Sequence, residues 1–472
     1  MSTHPLEEIL HPRSIAVVGA SVSGRSSGFI TPFKELGFKG EVYPVNPKYD
    51  EILGMKAYAR VTDIPGPVDY VISSIPATAI LSLIDDCVKK GVKAVHLFTA
   101  RFSETGRKEA TELEQELLRR ARKGGVRLIG PNCLGVYYPD MGIGFHEGMP
   151  KESGQAALIS QSGQVVGEIV DLAAQNGVRF SKAISYGNAL DFNECDYLEY
   201  FTQDEETDII LMYVEGVREG KRFADSLRKA AAVKPVVILK GGRGDAGSRA
   251  TASHTASMAG SRRLWESVVN QAGAISVGDI EELVDVAVGL YFIPVITGRR
   301  TAVAGGSGGR SVQAADQCEE AGLDIIPLPE DLREELKAQG DPVWDWIGNP
   351  ADSSISMGDR DSTKGIMQLM AGHPEFDLLI IFMRVPRRPA SEPFSMDRYM
   401  KRYRLREIAG KPIIMIFGDS PRDTGQGAEW YTDITARIKA RLVEDKLPFY
   451  PGVGRAARAI SKIIGYNERK RI

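Results

Sequence analysis

One of the six histidines stands in a segment built almost wholly of small residues, GGRGDAGSRATASHTASMAG at 241–260, which carries His254. The segment follows the apolar run KPVVILK, and a helix is predicted from about Met258. A loop of Gly, Ala, Ser and Thr can move, and it holds an imidazole clear of bulky groups; a histidine used for packing sits more often on an apolar face. A second group that could act with it is Glu215, which ends DIILMYVEG and so falls at the C-terminal end of a strand. A carboxylate hydrogen-bonded to one imidazole nitrogen fixes the tautomer and leaves the other nitrogen nucleophilic. The plain alternative for Glu215 is a solvated strand-end charge.

Three turns have the composition of anion sites. Ser160-Gln161-Ser162-Gly163 leads from a strand directly into a helix, so backbone amides and the Ser162 hydroxyl can face an anion. Gly305-Gly306-Ser307-Gly308-Gly309 has the same setting and also fits the G-x-S-x-G elbow of hydrolases. Its single downstream histidine is His373, and the internal repeat described below explains the match more simply. The third turn runs from Gly19 to Gly28 through Ser21, Ser23, Gly24 and Arg25, after the first strand. A dinucleotide site of the NAD type wants an acidic residue at the end of the second strand; here Asn46 and Lys48 stand instead, which suits a ligand with an additional phosphate. A tight strand–helix turn with no ligand is the competing reading. Ser74, Ile75, Pro76 and Asn132 lie at further strand ends, where open α/β sheets bind ligands. Cys133 reads as a small packing residue.

These residues need elements to hold them. Short apolar runs alternate with helical patterns: SIAVVGA, EVYPVN, DYVISSI, KAVHLFTA and RLIG, the last after a helical stretch from Glu104 to Lys123. The rhythm predicts parallel sheets covered by helices on both faces. Two further units begin at QAALIS and RTAVAGG and resemble each other. ALISQSGQVVGEIVDLAAQNG aligns with AVAGGSGGRSVQAADQCEEAG, Gly187–Asp191 with Gly348–Asp352, and DIILMYVEG with DLLIIFMRV. Such self-similarity indicates a duplicated domain. The position of Glu215 falls on Arg384 or Val385 in the other copy, so the first copy is expected to carry the chemistry. The division expected is residues 1–148, 149–297 and 298–472.

Composition narrows the classes. The 472 residues carry 59 Lys+Arg against 62 Asp+Glu, a net charge of −3, which gives no support to a nucleic-acid partner. The 49 glycines point to many tight turns and close ligand approaches. Four scattered cysteines form no C-x-x-C pair, which fits a reducing cytosol. No secretory h-region or membrane-length apolar run is visible, so a cytoplasmic protein with no membrane partner is expected.

HPRSIAVVGAS, GPNCLG, SQSG, YVEG and above all SHTASMAG resemble the α subunit of the NDP-forming acyl-CoA synthetases, relatives of succinyl-CoA synthetase. The resemblance covers nearly the full length. It implies an α/β protein with an N-terminal Rossmann-type CoA-binding domain and two flavodoxin-like ligase domains. It implies a phosphorylated histidine at His254, an orienting glutamate at Glu215, and a phosphate-binding helix start at Ser160, Gln161, Ser162 and Gly163. Coenzyme A contacts are implied on the Gly19–Gly28 turn, Asn46 to Lys48, Ser74 to Pro76 and Asn132. Fused members continue into an ATP-grasp module that nothing in this chain resembles. ATP or ADP with Mg²⁺ is then expected on a separate ATP-grasp β subunit, in an α2β2 assembly, with a small carboxylic acid as substrate. No metal site is expected on this chain. The alternatives are a non-catalytic CoA- or acyl-CoA-binding regulatory subunit and an NAD(P)-binding oxidoreductase.

Overall fold

The computed structural model describes residues 4–22, 29–244, 246–247, 262–296, 298–341, 344–352, 360–385, 394–403, 405, 410–418 and 428–470. The chain divides into two compact units, residues 1–283 and 284–472. Among the described residues, the first unit holds two large sheets and a two-stranded hairpin, and the second holds one large sheet.

In the first sheet, β1 (Ser14–Val18), β2 (Glu41–Val45), β5 (Tyr70–Ser73), β6 (Ala94–Leu97) and β7 (Arg127–Ile129) are parallel in the order β2-β1-β5-β6-β7. A small hairpin, β3 (Glu51–Ile52) with β4 (Met55–Lys56), interrupts the run. All five residues of β1 are buried, as a strand covered on both faces requires. After the short helices α1 (Pro5–Leu10) and α2 (Thr31–Leu36), helix α3 (Ile80–Lys90) turns Ile80, Leu83, Ile84 and Cys87 inward at helical spacing. Helix α4 (Lys108–Lys123) begins four residues later than the sequence pattern suggests. The Glu104 carboxylate accepts the Phe102 amide, and Gly106 takes a left-handed φ of 68°, so a separate turn precedes the helix.

The second sheet has the order β13-β12-β11-β9-β10-β8. Its parallel strands are β9 (Ala156–Ser160), β10 (Phe180–Ser185), β11 (Ile209–Val214), β12 (Val236–Lys240) and β13 (Ile275–Val277). The edge strand β8 (Gly135–Tyr137) joins β10 antiparallel and was not predicted; three residues are too few for a periodic signal. Helices α5 (Gly163–Gln175), α6 (Glu194–Gln203) and α7 (Gly220–Val233) connect the strands.

In the second unit, β14 (Thr301–Gly306), β15 (Ala351–Asp352), β16 (Leu378–Phe382), β17 (Ile413–Ile416) and β18 (Phe449–Tyr450) are parallel in the order β15-β14-β16-β17-β18. Counted within its own sheet, each parallel set runs 2-1-3-4-5, the flavodoxin-like doubly wound order. All three sheets share this order, so it does not single out the second and third as copies, and each sheet has its switch point beside its own first strand. Among the described residues, no helix is long and apolar enough to cross a membrane.

The matched pentapeptides differ in placement. Gly187–Asp191 follows β10, whereas Gly348–Asp352 runs into β15 itself. The Asp191 carboxylate accepts from Arg127 at 2.7 Å, Arg122 at 3.1 Å and the Leu128 amide at 3.1 Å, joining the second sheet to the first. Asp352 instead accepts the Gly308 amide at 2.6 Å.

Candidate functional site

The second sheet's switch point lies between β9 and β11, where two predicted groups meet. Ser162 caps α5, its hydroxyl accepting the Val165 amide at 3.4 Å, and Ser160 Oγ donates to the Ser162 carbonyl at 2.7 Å. These bonds fix the turn that carries the helix N-terminus. Gln161 binds it to the neighbouring strand end: its amide donates to the Tyr213 carbonyl at 3.0 Å, and its side-chain Oε1 accepts the amides of Glu215 at 2.8 Å and Gly216 at 3.1 Å. Glu215 is 6% exposed, so the solvated-charge alternative does not hold. Tyr213 Oη donates to Glu215 Oε1 at 3.3 Å.

Gly241, the first residue of the small-residue segment, passes close to this carboxylate. A Cβ there would lie 2.7 Å from Tyr213 Oη and 3.2 Å from Glu215 Cγ, so a larger residue would displace the pair. His254 itself lies outside the described residues. The sheet ends gather the turn Ser160-Gln161-Ser162-Gly163, Glu215 and the root of the segment that carries His254.

The repeat unit offers a contrast. Ile159 pairs with Met212 in the second sheet, and Ala304 pairs with Ile381 in the third. Taking each helix start, Gly163 and Gly308, as the common reference, the position of Glu215 falls on Arg384. A guanidinium replaces the carboxylate, and Asp352 occupies the Gly308 amide at the helix N-terminus. Charge at both points is the reverse of what an anion site with an acceptor carboxylate needs.

In the first sheet the described residues among those expected to touch coenzyme A cluster at the C-terminal strand ends. Gly19 has a φ of 86°, and a Cβ would lie 3.0 Å from both Ser74 Oγ and Ile75 Cγ2, so the position requires glycine. The Gly19 amide donates to Val45 at 2.9 Å, and Asn46 Nδ2 donates to the Ala20 carbonyl at 2.7 Å. Asn46 thus ties the end of β2 to the turn that continues into Ser21; it also accepts the Lys48 amide at 3.0 Å. Lys48 and Pro76 are exposed, and Ser74 and Ile75 half-buried. Asn132 sits at a φ of 60°, its amide bonded to the Thr99 carbonyl at 3.1 Å. Ser23, Gly24, Arg25 and Gly28 lie outside the described residues.

The turn containing Asn132 also reaches the second sheet. The Leu134 amide donates to Ser185 Oγ at 3.2 Å, and the Asn188 amide donates to the Pro131 carbonyl at 2.9 Å. Gly187 passes so close to Pro131 that a Cβ would lie 2.1 Å from its carbonyl oxygen. His96 fixes the same turn from below: buried, it bonds through Nε2 to the Cys133 carbonyl at 3.0 Å, and burial lowers its pKa to about 4. Cys133 is buried and its thiol is pushed up by desolvation, in keeping with packing.

Two contributors escaped the sequence reading. The dual acceptance by Gln161 is a tertiary contact without a local signature. Lys240 ends an apolar strand, and its ammonium donates to the Glu215 carbonyl at 2.7 Å. A lysine closing a buried run was the available signal.

Residues 13–139 match the CoA binding domain family, and residues 153–290 match the succinyl-CoA ligase like flavodoxin domain family. The chain is 35% identical to the α subunit of ADP-forming acetate–CoA ligase II of Pyrococcus furiosus, over 87% of this chain and 90% of that one. It is 36% identical to the ADP-forming acetate–CoA ligase of Methanocaldococcus jannaschii over 74% of its own length, and spans only 49% of that longer chain. Among solved structures, it superposes with a TM-score of 0.82 on a dinucleotide-forming acetyl-coenzyme A synthetase 1 of Candidatus Korarchaeum cryptofilum, in complex with phosphate and ADP. That match has 31% identity and covers 99% of this chain and 98% of the other. Similarity on this scale, over the same domains and at full length, makes the chain a member of the ADP-forming acyl-CoA synthetase α subunits of the succinyl-CoA synthetase superfamily.

Proposed function

We propose that the chain is the α subunit of an acid–thiol ligase that interconverts acyl-CoA, ADP and phosphate with a carboxylic acid, coenzyme A and ATP. The observation that carries the reading is the meeting of Glu215, the α5 N-terminus and the root of the His254 segment at one switch point. The regulatory-subunit alternative gives no reason for a buried carboxylate to be held there. The oxidoreductase alternative lacks its acidic ribose reader, since Asn46 bonds the turn.

In the ATP-forming direction, phosphate displaces coenzyme A from acyl-CoA, giving an acyl phosphate and the free thiol. A nitrogen of His254 then attacks phosphorus, and the acid leaves as its carboxylate. Glu215 accepts the N–H of the other nitrogen and so offsets the charge that develops on the ring. The N-terminus of α5, with Ser162, holds the phosphoryl oxygens. Phospho-His254 passes the group to ADP, which restores the free imidazole. Gly19, Ser21, Ser23, Gly24, Arg25, Gly28, Asn46, Lys48, Ser74, Ile75, Pro76 and Asn132 form the coenzyme A site in this reading. Contacts from the Asn132 turn to Ser185 and Asn188 support delivery of the thiol to the second sheet.

The domains of the reading are 1–148, 149–297 and 298–472. The second carries the relay, and the third is a copy without it. The nucleotide and Mg²⁺ belong to an ATP-grasp β subunit in an α2β2 assembly, and the enzyme works in the cytoplasm. The naming of full-length Pyrococcus furiosus relatives as α subunits supports a separate partner.

The test is incubation of the chain and its partner subunit with γ-labelled ATP. Acid-labile, base-stable label on the α chain is expected, and it should disappear in His254→Ala while coenzyme A binding persists. Unchanged turnover in a purified His254→Ala enzyme would overturn the mechanism.

A further inference from the structure

Arg101 follows the C-terminal end of β6 and takes a left-handed φ of 82°. That conformation is costly for a residue with a Cβ, and it persists only where the surroundings enforce it. Here they do. The Glu104 carboxylate accepts the amides of Arg101 and Phe102, and it also accepts Asn188 Nδ2 at 2.6 Å, from the turn after β10. The strained backbone is thus held from both sheets of the first unit. A loop that needed only to turn would take glycine at this point. Arg101 is exposed, and its guanidinium has no hydrogen bond or ion pair among the described residues. Its neighbours are the strand ends expected to meet coenzyme A. Thr99 Oγ1 donates to the Ile75 carbonyl at 2.5 Å, and the Thr99 carbonyl accepts the Asn132 amide at 3.1 Å. Phe98 packs at 5.1 Å on Phe29, the first described residue after the turn that starts at Gly19.

We propose that Arg101 is a binding residue for the diphosphate of coenzyme A, and that the Glu104 carboxylate holds its strained backbone so that the guanidinium is offered at these strand ends. The proposal rests on the coenzyme A reading of the first sheet given above. Across that sheet the strand ends run β1, β5, β6, β7, carrying Gly19, Ile75, Arg101 and Asn132 in turn. Adjacent strands lie about 4.8 Å apart, so β6 stands roughly 10 Å from the Gly19 end of β1. An extended arginine and a diphosphate cover that span between them. Coenzyme A has two anionic groups, the 3′-phosphate and the diphosphate. Lys48 lies beyond β2, on the other side of β1 from β6, and suits the 3′-phosphate. The diphosphate is then the anion that crosses from β1 toward β6, ahead of the arm that carries the thiol to Asn132. A guanidinium is charged at every working pH, and its planar fork matches two phosphate oxygens at once.

The experiment is calorimetry on the full-length wild-type chain, Arg101→Gln and Arg101→Gly, with coenzyme A and with dephospho-coenzyme A, at low and high salt and without acid or free phosphate. Dephospho-coenzyme A keeps the diphosphate and lacks the 3′-phosphate. Both variants should bind both ligands about tenfold or more weakly, the scale of one charge-assisted hydrogen bond. Their affinity should also fall less steeply with salt than that of the wild type. Arg101→Gly should melt no lower than the wild type, because glycine accepts this φ without strain. Unchanged affinity in Arg101→Gln would overturn the proposal. A loss for coenzyme A alone would also overturn it, since the guanidinium would then meet the 3′-phosphate. An equal loss with the wild-type salt dependence would overturn it too, by making Arg101 a residue that only shapes the loop. If Arg101→Gly loses its cooperative melt, Arg101→Gln decides. A wild-type chain that binds neither ligand would overturn the coenzyme A reading itself, whereas variants that bind like a binding-competent wild type overturn the role of Arg101 alone.

Discussion

The side-chain oxygen of Gln161 accepts the backbone amides of both Glu215 and Gly216, at 2.8 and 3.1 Å, so the α5 turn and the Glu215 strand end form one hydrogen-bonded body. Gln161 is itself 7% exposed, and the three groups are withdrawn from water together. Because a phosphoryl group would be held by the turn and oriented against the carboxylate, their separation must be fixed before a ligand arrives. A glutamine does this without adding charge beside Glu215.

Replacing Gln161 by Leu should therefore uncouple the two. The substitution keeps side-chain bulk but leaves two buried N–H groups without an acceptor, at about 1–3 kcal/mol each. A lower melting midpoint is expected, together with slower labelling of the α chain, while coenzyme A affinity is retained. Normal labelling in Gln161→Leu would show that the turn and Glu215 keep their places without this bond.

Glu215→Gln tests the carboxylate alone. The isostere can still receive Tyr213 Oη and leaves the Gln161 bonds to backbone intact. The expected result is a folded chain whose labelling slows by roughly 10²-fold or more, the scale of losing a group that assists a catalytic histidine. A wild-type rate would reduce Glu215 to a structural buried charge.

The sheets were legible because parallel strands buried on both faces read as apolar runs, and β1, β9 and β12 are buried from end to end. Strand ends were legible less well: SIAVVGA stops as a strand at Val18, since Gly19 already turns with a positive φ. The residues that carry chemistry were found where local composition is unusual, as in the turn Ser160-Gln161-Ser162-Gly163 and the small-residue segment. Lys240 and the acceptor role of Gln161 were not found, because each depends on which strand ends the topology brings together. Gly187–Asp191 and Gly348–Asp352 show the opposite error: sequence likeness was real, yet Asp191 meets arginines of the first sheet and Asp352 meets a helix start.

Lys48 tests the identity of the first ligand. It is exposed beyond β2, and its amide is held by Asn46, so the backbone is placed while the ammonium is free to meet a solvent-side phosphate. Coenzyme A has a 3′-phosphate that dephospho-coenzyme A lacks. Calorimetry on Lys48→Glu should show a larger loss of affinity for coenzyme A than for dephospho-coenzyme A. Equal losses would mean that Lys48 reads another part of the ligand. Tight NAD binding without a response to coenzyme A would return the first domain to the oxidoreductase reading.

Glu194 gives a prediction about stability and pH. It is the first residue of α6, 2% exposed, and its Oε1 has no hydrogen-bond partner among the described residues. Burial raises its pKa to about 7 from the ordinary 4.5, with its own and the Arg218 backbone amides only partly countering the shift. A carboxyl whose folded pKa lies above its unfolded one is bound more tightly as the acid. Its contribution to stability is complete below about pH 4.5 and is lost as pH rises through about 7. Glu194→Gln cannot ionise, so it should gain on the wild type by on the order of 1–3 kcal/mol between pH 5 and pH 8. His96 works in the other sense: held neutral with a pKa of about 4, it costs stability as pH falls below its ordinary 6.5. Both chains keep His96, so its effect cancels in the difference between their melting midpoints. That difference should widen from pH 5 to about pH 7 and level off by pH 8. Midpoints that run parallel across the range would mean that Glu194 ionises without cost where it stands.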